Sequence, residues 1–325
     1  MTALRLLIVK TSSMGDVVHA LPVVRDILQR FPDAQIDWLV ESAFAAIPQL
    51  HPGIRRVIPM QWRKWRKALL KGDTWKSMGQ LRDTLRAGHY DLVLDLQGLL
   101  KSALWARQAQ APVAGYDKDS AREPAAAWAY QFKSRVSRDL HAVQRCRELV
   151  AAQLKYSVAD TPPDFGLHAP APSWHPRQND YAVLIPNASR RSKHWPERHW
   201  AAVGNRFLER GMMPVVLWGM PDEQSLAESI AASCEGDVPP FLKVGEMASV
   251  LAGARQVVGL DTGFTHLAAA LGRPTVGIYC DHEPGLAGIA GSGRVASIGG
   301  KGQVPSRADV LALVDGHLGG QSKGR

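Results

Sequence analysis

Short runs of consecutive apolar residues alternate along this chain with stretches whose apolar positions recur every three or four residues, and the alternation occurs twice. Buried strands are expected at 5–10, 35–40, 54–59 and 91–96, with amphipathic helices at 17–30, 44–50, 75–87 and 141–155. A second series follows, with strands at 181–185, 213–218, 256–260 and 275–279. Its helices are expected at 197–209, 222–234, 247–252, 265–271 and 307–318. Strands that alternate with helices predict parallel sheets covered on both faces, so the expected fold is α/β with two doubly wound, Rossmann-like domains facing each other across a cleft.

Between the two series, Pro162, Pro163, Pro170, Pro172 and Pro176 crowd residues 161–178, too many for a helix or an inner strand. The organisation expected is an N-terminal domain at 1–165, a proline-rich linker at 166–178 and a C-terminal domain at 179–305. Residues 306–325 hold a closing helix, for which a return over the hinge to the first domain is one course, and a frayed polar tail at 321–325.

At 325 residues the chain is long enough for two cores, and 46% hydrophobic with 21% charged residues is a globular composition. A formal charge of +9 points to an anionic partner: nucleic acid, a phosphorylated small molecule or an acidic membrane surface. No apolar run approaches the roughly 20 residues of a membrane span, and no leader pattern opens the chain, so a cytosolic or peripheral protein is expected. Cys146, Cys234 and Cys280 are far apart and in no C-x-x-C pair, which predicts buried, reduced thiols and neither a disulfide framework nor zinc. The histidines lack metal-ligand spacing, and no metal is assigned.

Candidate chemistry begins where the first strand meets the first helix, at Lys10-Thr11-Ser12-Ser13-Met14-Gly15-Asp16. Asp16 falls at a strand's carboxyl end, where open α/β sheets bind ligands, and suits a catalytic acid or base. Helix capping by a Ser, Thr or Asp explains the same residues without chemistry. The lone Gly15 argues against a dinucleotide site, which places three glycines at this turn.

In the second half, Asp261-Thr262-Gly263-Phe264-Thr265-His266 joins a strand to a helix. Free backbone N–H groups at the helix start suit a phosphate, whereas Thr262 or Thr265 as a cap is the plainer account. Ser189-Arg190-Arg191-Ser192-Lys193-His194-Trp195-Pro196 also follows a strand, and Lys193 suits a departing diphosphate, or else the segment is a solvated basic loop. Glu223 fits ribose hydroxyls, although acidic residues are ordinary in a first helical turn. Phosphate donors on one half and Asp16 on the other suggest a nucleotide-linked donor opposite an acceptor.

Residues 55–71 carry seven basic side chains and no acidic one: Arg55, Arg56, Arg63, Lys64, Arg66, Lys67 and Lys71. Trp62 and Trp65 are interleaved with them, as in interfacial helices on anionic lipid. Single-stranded nucleic acid and a solvated loop are the competing readings. Lys101 and Arg122 would add charge on the same half, making the acceptor polyanionic.

Taken together, residues 9–17, Asp95-Leu96-Gln97-Gly98-Leu99-Leu100-Lys101-Ser102, Lys193-His194-Trp195-Pro196-Glu197 and Asp261-Thr262-Gly263 resemble the heptosyltransferases of glycosyltransferase family 9, in collinear order over nearly the whole chain. The resemblance implies a GT-B fold and inverting, metal-independent transfer of L-glycero-D-manno-heptose from ADP-heptose to Kdo of Kdo-lipid A in lipopolysaccharide inner-core synthesis. No cofactor is implied. Asp16 then matches the general base and Lys193 the leaving-diphosphate contact. Ser189, Glu223, Asp261, Thr262, Gly263 and His266 complete the donor set. The acceptor set comprises Ser13, Arg63, Lys64, Arg66, Lys67, Lys101 and Arg122. Ala188 departs from the pattern, which has a hydroxyl residue there, so a donor hydrogen bond is lost or relocated. A monomer, peripheral on the cytoplasmic face of the inner membrane and binding no nucleic acid, is the implied setting. Another family 9 transferase, a GT-B-like epimerase and a nucleic-acid-binding module are the rivals.

Overall fold

A computed structural model describes residues 3–318, which divide between Thr161 and Pro162 into two compact units. The first contains β1 (Arg5–Val9), α1 (Met14–Ala20), α2 (Pro22–Arg30), β2 (Gln35–Glu41), α3 (Ala46–Gln49), β3 (Ile54–Met60) and α4 (Trp62–Trp65). It continues with α5 (Gly72–Arg86), β4 (Leu92–Asp95), α6 (Leu100–Arg107), β5 (Val113–Tyr116), β6 (Phe132–Ser134) and α7 (Ala142–Leu154). The strands form one parallel sheet in the order β3-β2-β1-β4-β5-β6. The chain reverses its winding between β1 and β4, so the loops after these two strands part at a topological switch point.

The second unit contains β7 (Tyr181–Ile185), α8 (Glu197–Glu209), β8 (Met213–Val216), α9 (Gln224–Ser233) and α10 (Val244–Gly253). After these come β9 (Gln256–Leu260), α11 (Gly263–Ala270), β10 (Thr275–Tyr279), β11 (Val295–Gly299) and α12 (Arg307–Leu318). Its parallel sheet runs β11-β10-β9-β7-β8. Both units are thus parallel-sheet α/β layers, the fold class the apolar pattern predicts.

Fully buried runs such as Leu6–Val9 and Ala182–Leu184 form central strands because helices cover both faces. Trp200 and Phe207 of α8 are wholly buried in the second core, worth about 1.5–3 kcal/mol each in transfer from water. The three cysteines are buried and unpaired, and burial pushes the Cys234 thiol up to about 11.

Several boundaries differ from the periodicity, each for a local reason. The helix expected at 17–30 is two: Pro22, with no N–H to donate, opens α2 directly after the helical Leu21 closes α1. The helix expected at 44–50 is a 3-10 turn followed by the four-residue α3. Strands β5, β6 and β11 escape the apolar pattern because they are short, and β6 and β11 lie at sheet edges. Helix α12, for which a return over the hinge was one expected course, packs on α8, β9 and β10 of its own unit, burying Val310 and Val314. The proline-rich stretch is irregular but anchored: Arg177 pairs with Asp237, and its backbone N–H donates to the same carboxylate at 2.7 Å. The tail expected at 321–325 lies outside the described residues.

Gly115 in β5 lies so close to Tyr130 that an added Cβ would strike the ring. Gly115→Ala is therefore expected to destabilise the first unit by about 1–3 kcal/mol through overpacking. Denaturant titration should show a lower midpoint for that unit, and an unchanged midpoint would mean that the ring yields freely.

Candidate active site

At the switch point the loop after β1 is held by the loop after β4. Gln97, 5% exposed, accepts through Oε1 from the Thr11 N–H at 2.9 Å and the Ser12 N–H at 3.1 Å. Lys10 donates from Nζ to the Leu96 carbonyl at 2.9 Å, and Lys101 from Nζ to Ser12 Oγ at 3.0 Å. Asp95, wholly buried at the end of β4, anchors the second loop. It accepts from the Gln97 N–H (2.9 Å), Ser102 Oγ (2.8 Å) and the Tyr130 hydroxyl (2.8 Å). Burial raises its pKa despite these donors. Gly98 turns with φ +68°, and a side chain there would meet the Arg122 backbone at 3.2 Å.

This clamp presents Ser13 and Asp16 at the start of α1. The Ser13 N–H and Oγ both donate to Asp16 Oδ2, each at 2.8 Å, and Oδ1 takes no hydrogen bond among the described residues. The cap occupies one carboxylate oxygen and leaves the other without a partner among the described residues. Burial works against the Asp16 charge, but Lys10, the Ser13 bonds and Arg122 outweigh it and hold the carboxyl below its ordinary pKa.

The predicted acceptor residues separate into two groups. Lys101 lies within the electrostatic reach of Arg63 and Arg66 as well as Glu41 and Glu123, and its pKa is lowered, chiefly by burial. The Arg63 guanidinium stacks over the Phe44 ring at 5.0 Å, and the Arg63 backbone N–H donates to Glu41 Oε1 at 3.1 Å. Arg122 acts on Asp16 directly. Lys64 and Lys67 are exposed and make no ion pair. Arg55 and Arg56 leave the basic stripe altogether: both pair at 2.9 Å with the buried Asp37, at the strand ends remote from Asp16.

The mixture at 55–71 that suits an interfacial helix folds otherwise: α4 has four residues, and Trp65 is buried against Trp105, ring centroids 5.5 Å apart. Leu69, Leu70 and Trp75 are the exposed apolar side chains of this region, and the Trp75 Nε1–H donates to the Leu69 carbonyl at 2.8 Å. No helix among the described residues is long and apolar enough to cross a membrane.

In the second unit the strand ends gather Lys193, Asp261 and His266. Lys193 Nζ bonds Asp261 Oδ2 at 2.5 Å and its carbonyl at 3.0 Å, while His266 Nε2 lies 3.2 Å from Oδ1. Burial raises the cost of the Asp261 charge, yet His266 and Lys193 together hold its pKa far below the ordinary carboxylate range. Thr262 occupies the N-cap position of α11 without a side-chain cap bond. Thr265 instead turns its hydroxyl back to the Leu260 carbonyl at 2.6 Å. The N–H groups of Gly263 and Phe264 consequently have no partner among the described residues, and the positive end of α11 is open to an anion.

Other predicted donor residues are partly committed. Glu223 Oε2 accepts from the Gly219 and Met220 N–H groups at 2.8 and 3.0 Å, and its other oxygen has no hydrogen bond among the described residues. Ser189 is exposed and makes no hydrogen bond to the described residues. Ser192 bonds Asp281 at 2.5 Å, and Arg190 approaches the same carboxylate at 3.6 Å. Asn187, absent from the predicted set, is buried at the end of β7 with its Nδ2 unpartnered. Lys10 and Gln97 were also missed as site residues; a lysine and a glutamine ending otherwise apolar strand segments were the available signal. No group of three or more His, Cys, Asp or Glu among the described residues is arranged around a metal position.

Comparison with known proteins sets this geometry in a family. The model of glycosyltransferase family 9 (heptosyltransferase) matches residues 78–307. Lipopolysaccharide heptosyltransferase 1 of Pseudomonas aeruginosa is 42% identical over 297 residues, covering 90% of this chain and 83% of that protein. Its Escherichia coli K12 counterpart is 41% identical over 298 residues, covering 90% and 92% respectively. Among solved structures, E. coli heptosyltransferase WaaC with ADP superposes with a TM-score of 0.89 at 37% identity, covering 97% of this chain and all of that one (100%). WaaC with ADP-2-deoxy-2-fluoro heptose gives 0.85 at 36% identity, covering 96% and 99%.

Because Gln97 holds the loop that presents Asp16, Gln97→Leu is expected to lower kcat about 10- to 100-fold by displacing a group that must sit within a fraction of an ångström. The same variant should leave ADP affinity unchanged. Steady-state kinetics with calorimetric ADP titration checks this, and wild-type kcat would show that the clamp is dispensable.

Proposed function

The chain belongs to glycosyltransferase family 9, the heptosyltransferases, and we propose that it transfers L-glycero-D-manno-heptose from ADP-heptose to a Kdo sugar of Kdo-lipid A, in lipopolysaccharide inner-core synthesis. The observation that carries the reading is Asp16, a carboxylate held charged, tied through one oxygen and open at the other. In the reaction, Asp16 takes the proton of the acceptor hydroxyl as that oxygen attacks the anomeric carbon. The bond from that carbon to the diphosphate breaks on the opposite face, its electron pair leaves with ADP, and the configuration inverts. Lys193 and the open N–H groups of α11 meet the charge growing on the diphosphate, so no metal is required for that step.

The acceptor brings carboxylate and phosphate groups, and the cations at Lys101, Arg63, Arg66 and Arg122 suit them. Exposed Leu69, Leu70 and Trp75, with Lys64, Lys67 and Lys71 beside them in sequence, fit a monomer resting on the acidic cytoplasmic surface of the membrane that holds this lipid. The pairing of Arg55 and Arg56 with Asp37 weakens the nucleic-acid alternative, since the stripe loses two of its cations.

Asp16→Ala is expected to lower kcat by about 10²- to 10⁴-fold with ADP affinity retained, measured as heptose transfer to Kdo-lipid A with and without EDTA. Near-normal turnover of that variant refutes the assignment, and loss of wild-type activity in EDTA refutes the metal-free step. Because Lys10, the Ser13 bonds and Arg122 hold the Asp16 carboxyl below its ordinary pKa, it stays charged wherever a free carboxylate does. Lowering the pH from about 7 to 5 should therefore produce no loss of kcat/KM attributable to this carboxylate. Arg63→Glu with Arg66→Glu should raise the acceptor KM at least about tenfold by placing like charges against it, leaving the ADP dissociation constant unchanged. An equal loss of ADP affinity would abolish the division of labour between the units.

A further inference from the structure

Asn187 is two residues beyond β7. The register pairs Ile185 with Gly259, so continuing both chains by two residues brings Asn187 level with Asp261, the partner of Lys193. It is 8% exposed, and its Nδ2 is hidden with no hydrogen-bond partner. The amide oxygen makes no hydrogen bond to the described residues either. An amide NH₂ denied both water and protein partners loses its solvation without return, and such groups in native folds call for a specific explanation. One explanation is that a ligand completes the set.

The surroundings limit what that ligand is. Ala188 has only a methyl group to offer, and its carbonyl is engaged by His194 Nε2 at 3.1 Å. Asp261 and Asp281 follow the ends of β9 and β10: Lys193 and His266 pair with the first, and Ser192 and Arg190 engage Oδ2 of the second, whose buried Oδ1 has no partner among the described residues. The Gly263 and Phe264 N–H groups and the Asn187 NH₂ are donors here without a partner among the described residues. A partner presenting several acceptor oxygens with negative charge satisfies all of them, and a diphosphate does so in one molecule.

We infer that Asn187 donates from Nδ2 to a diphosphate oxygen of the nucleotide-sugar donor, making it a donor-binding residue of this chain. The inference rests on the reading of the second unit as the donor-binding one. Calorimetric titration of the full-length protein with ADP and with adenosine tests it in Asn187→Ala, in the equal-volume Asn187→Asp, and in Lys193→Met as a control on the reading itself. Asn187→Ala should weaken ADP binding about tenfold, the loss of one hydrogen bond to a charged group. Asn187→Asp should weaken it at least as much, because a carboxylate then faces the phosphates, and adenosine should bind all three proteins as it binds the wild type. An ADP constant within about twofold of wild type in both Asn187 variants overturns the inference. Equal losses for ADP and adenosine overturn it too, since the contact would then lie on the nucleoside or in the fold. If Lys193→Met weakens ADP while the Asn187 variants do not, only Asn187 is wrong. If all three leave ADP untouched, the donor-unit reading fails.

Discussion

One side-chain carbonyl, Oε1 of Gln97, holds together the part of the first unit on which the chemistry depends. It spans the switch point between β1 and β4, where the sheet itself stops making hydrogen bonds, and takes two backbone N–H groups that would otherwise point into the gap. Asp95 fixes Gln97 from beneath, and Ser102 and Tyr130 fix Asp95. A fully buried carboxylate is costly, and these donors offset that cost by giving it nearly all the hydrogen bonds water would have supplied. The result is a stiff loop with Ser13 and Asp16 at its far end.

Charge is distributed differently in the two units. Lys10 and Arg122 act on Asp16 and keep it ionised, and in the proposed reaction Lys101, Arg63 and Arg66 would face the anionic acceptor. Lys193, by contrast, is already matched by Asp261, so in the proposed reaction a diphosphate would meet a nearly neutral pair there. The free N–H groups of α11 then matter more, because a helix terminus attracts an anion without a counter-charge to displace.

Much of the candidate site was legible because its residues follow strands, and a parallel sheet puts every strand's carboxyl end on one edge. Asp16, Lys193, Asp261 and Thr262 could be placed from the apolar runs preceding them. The basic segment was read less well. Charge counting cannot see that Asp37, eighteen residues before Arg55, sits buried beside it and takes both Arg55 and Arg56 out of play. Nor can spacing reveal that Trp65 faces Trp105 in the core while Trp75 stays outside. Lys10, Gln97 and Asn187 were passed over because a single polar residue at a strand end carries no periodic signal.

By itself the sequence determined the two α/β layers, the strands of their interiors and the loops that bear chemistry, because periodicity and chain order are local properties that survive without a fold. Tertiary structure decided which polar groups find partners. Asp16 keeps one oxygen free, Thr265 declines to cap α11, Arg55 and Arg56 are paired with the buried Asp37, and Asn187 is left with an unused donor. Each of these outcomes depends on atoms brought within about 3 Å from distant parts of the chain, and hydrogen bonds and ion pairs respond to that distance, which no one-dimensional pattern contains.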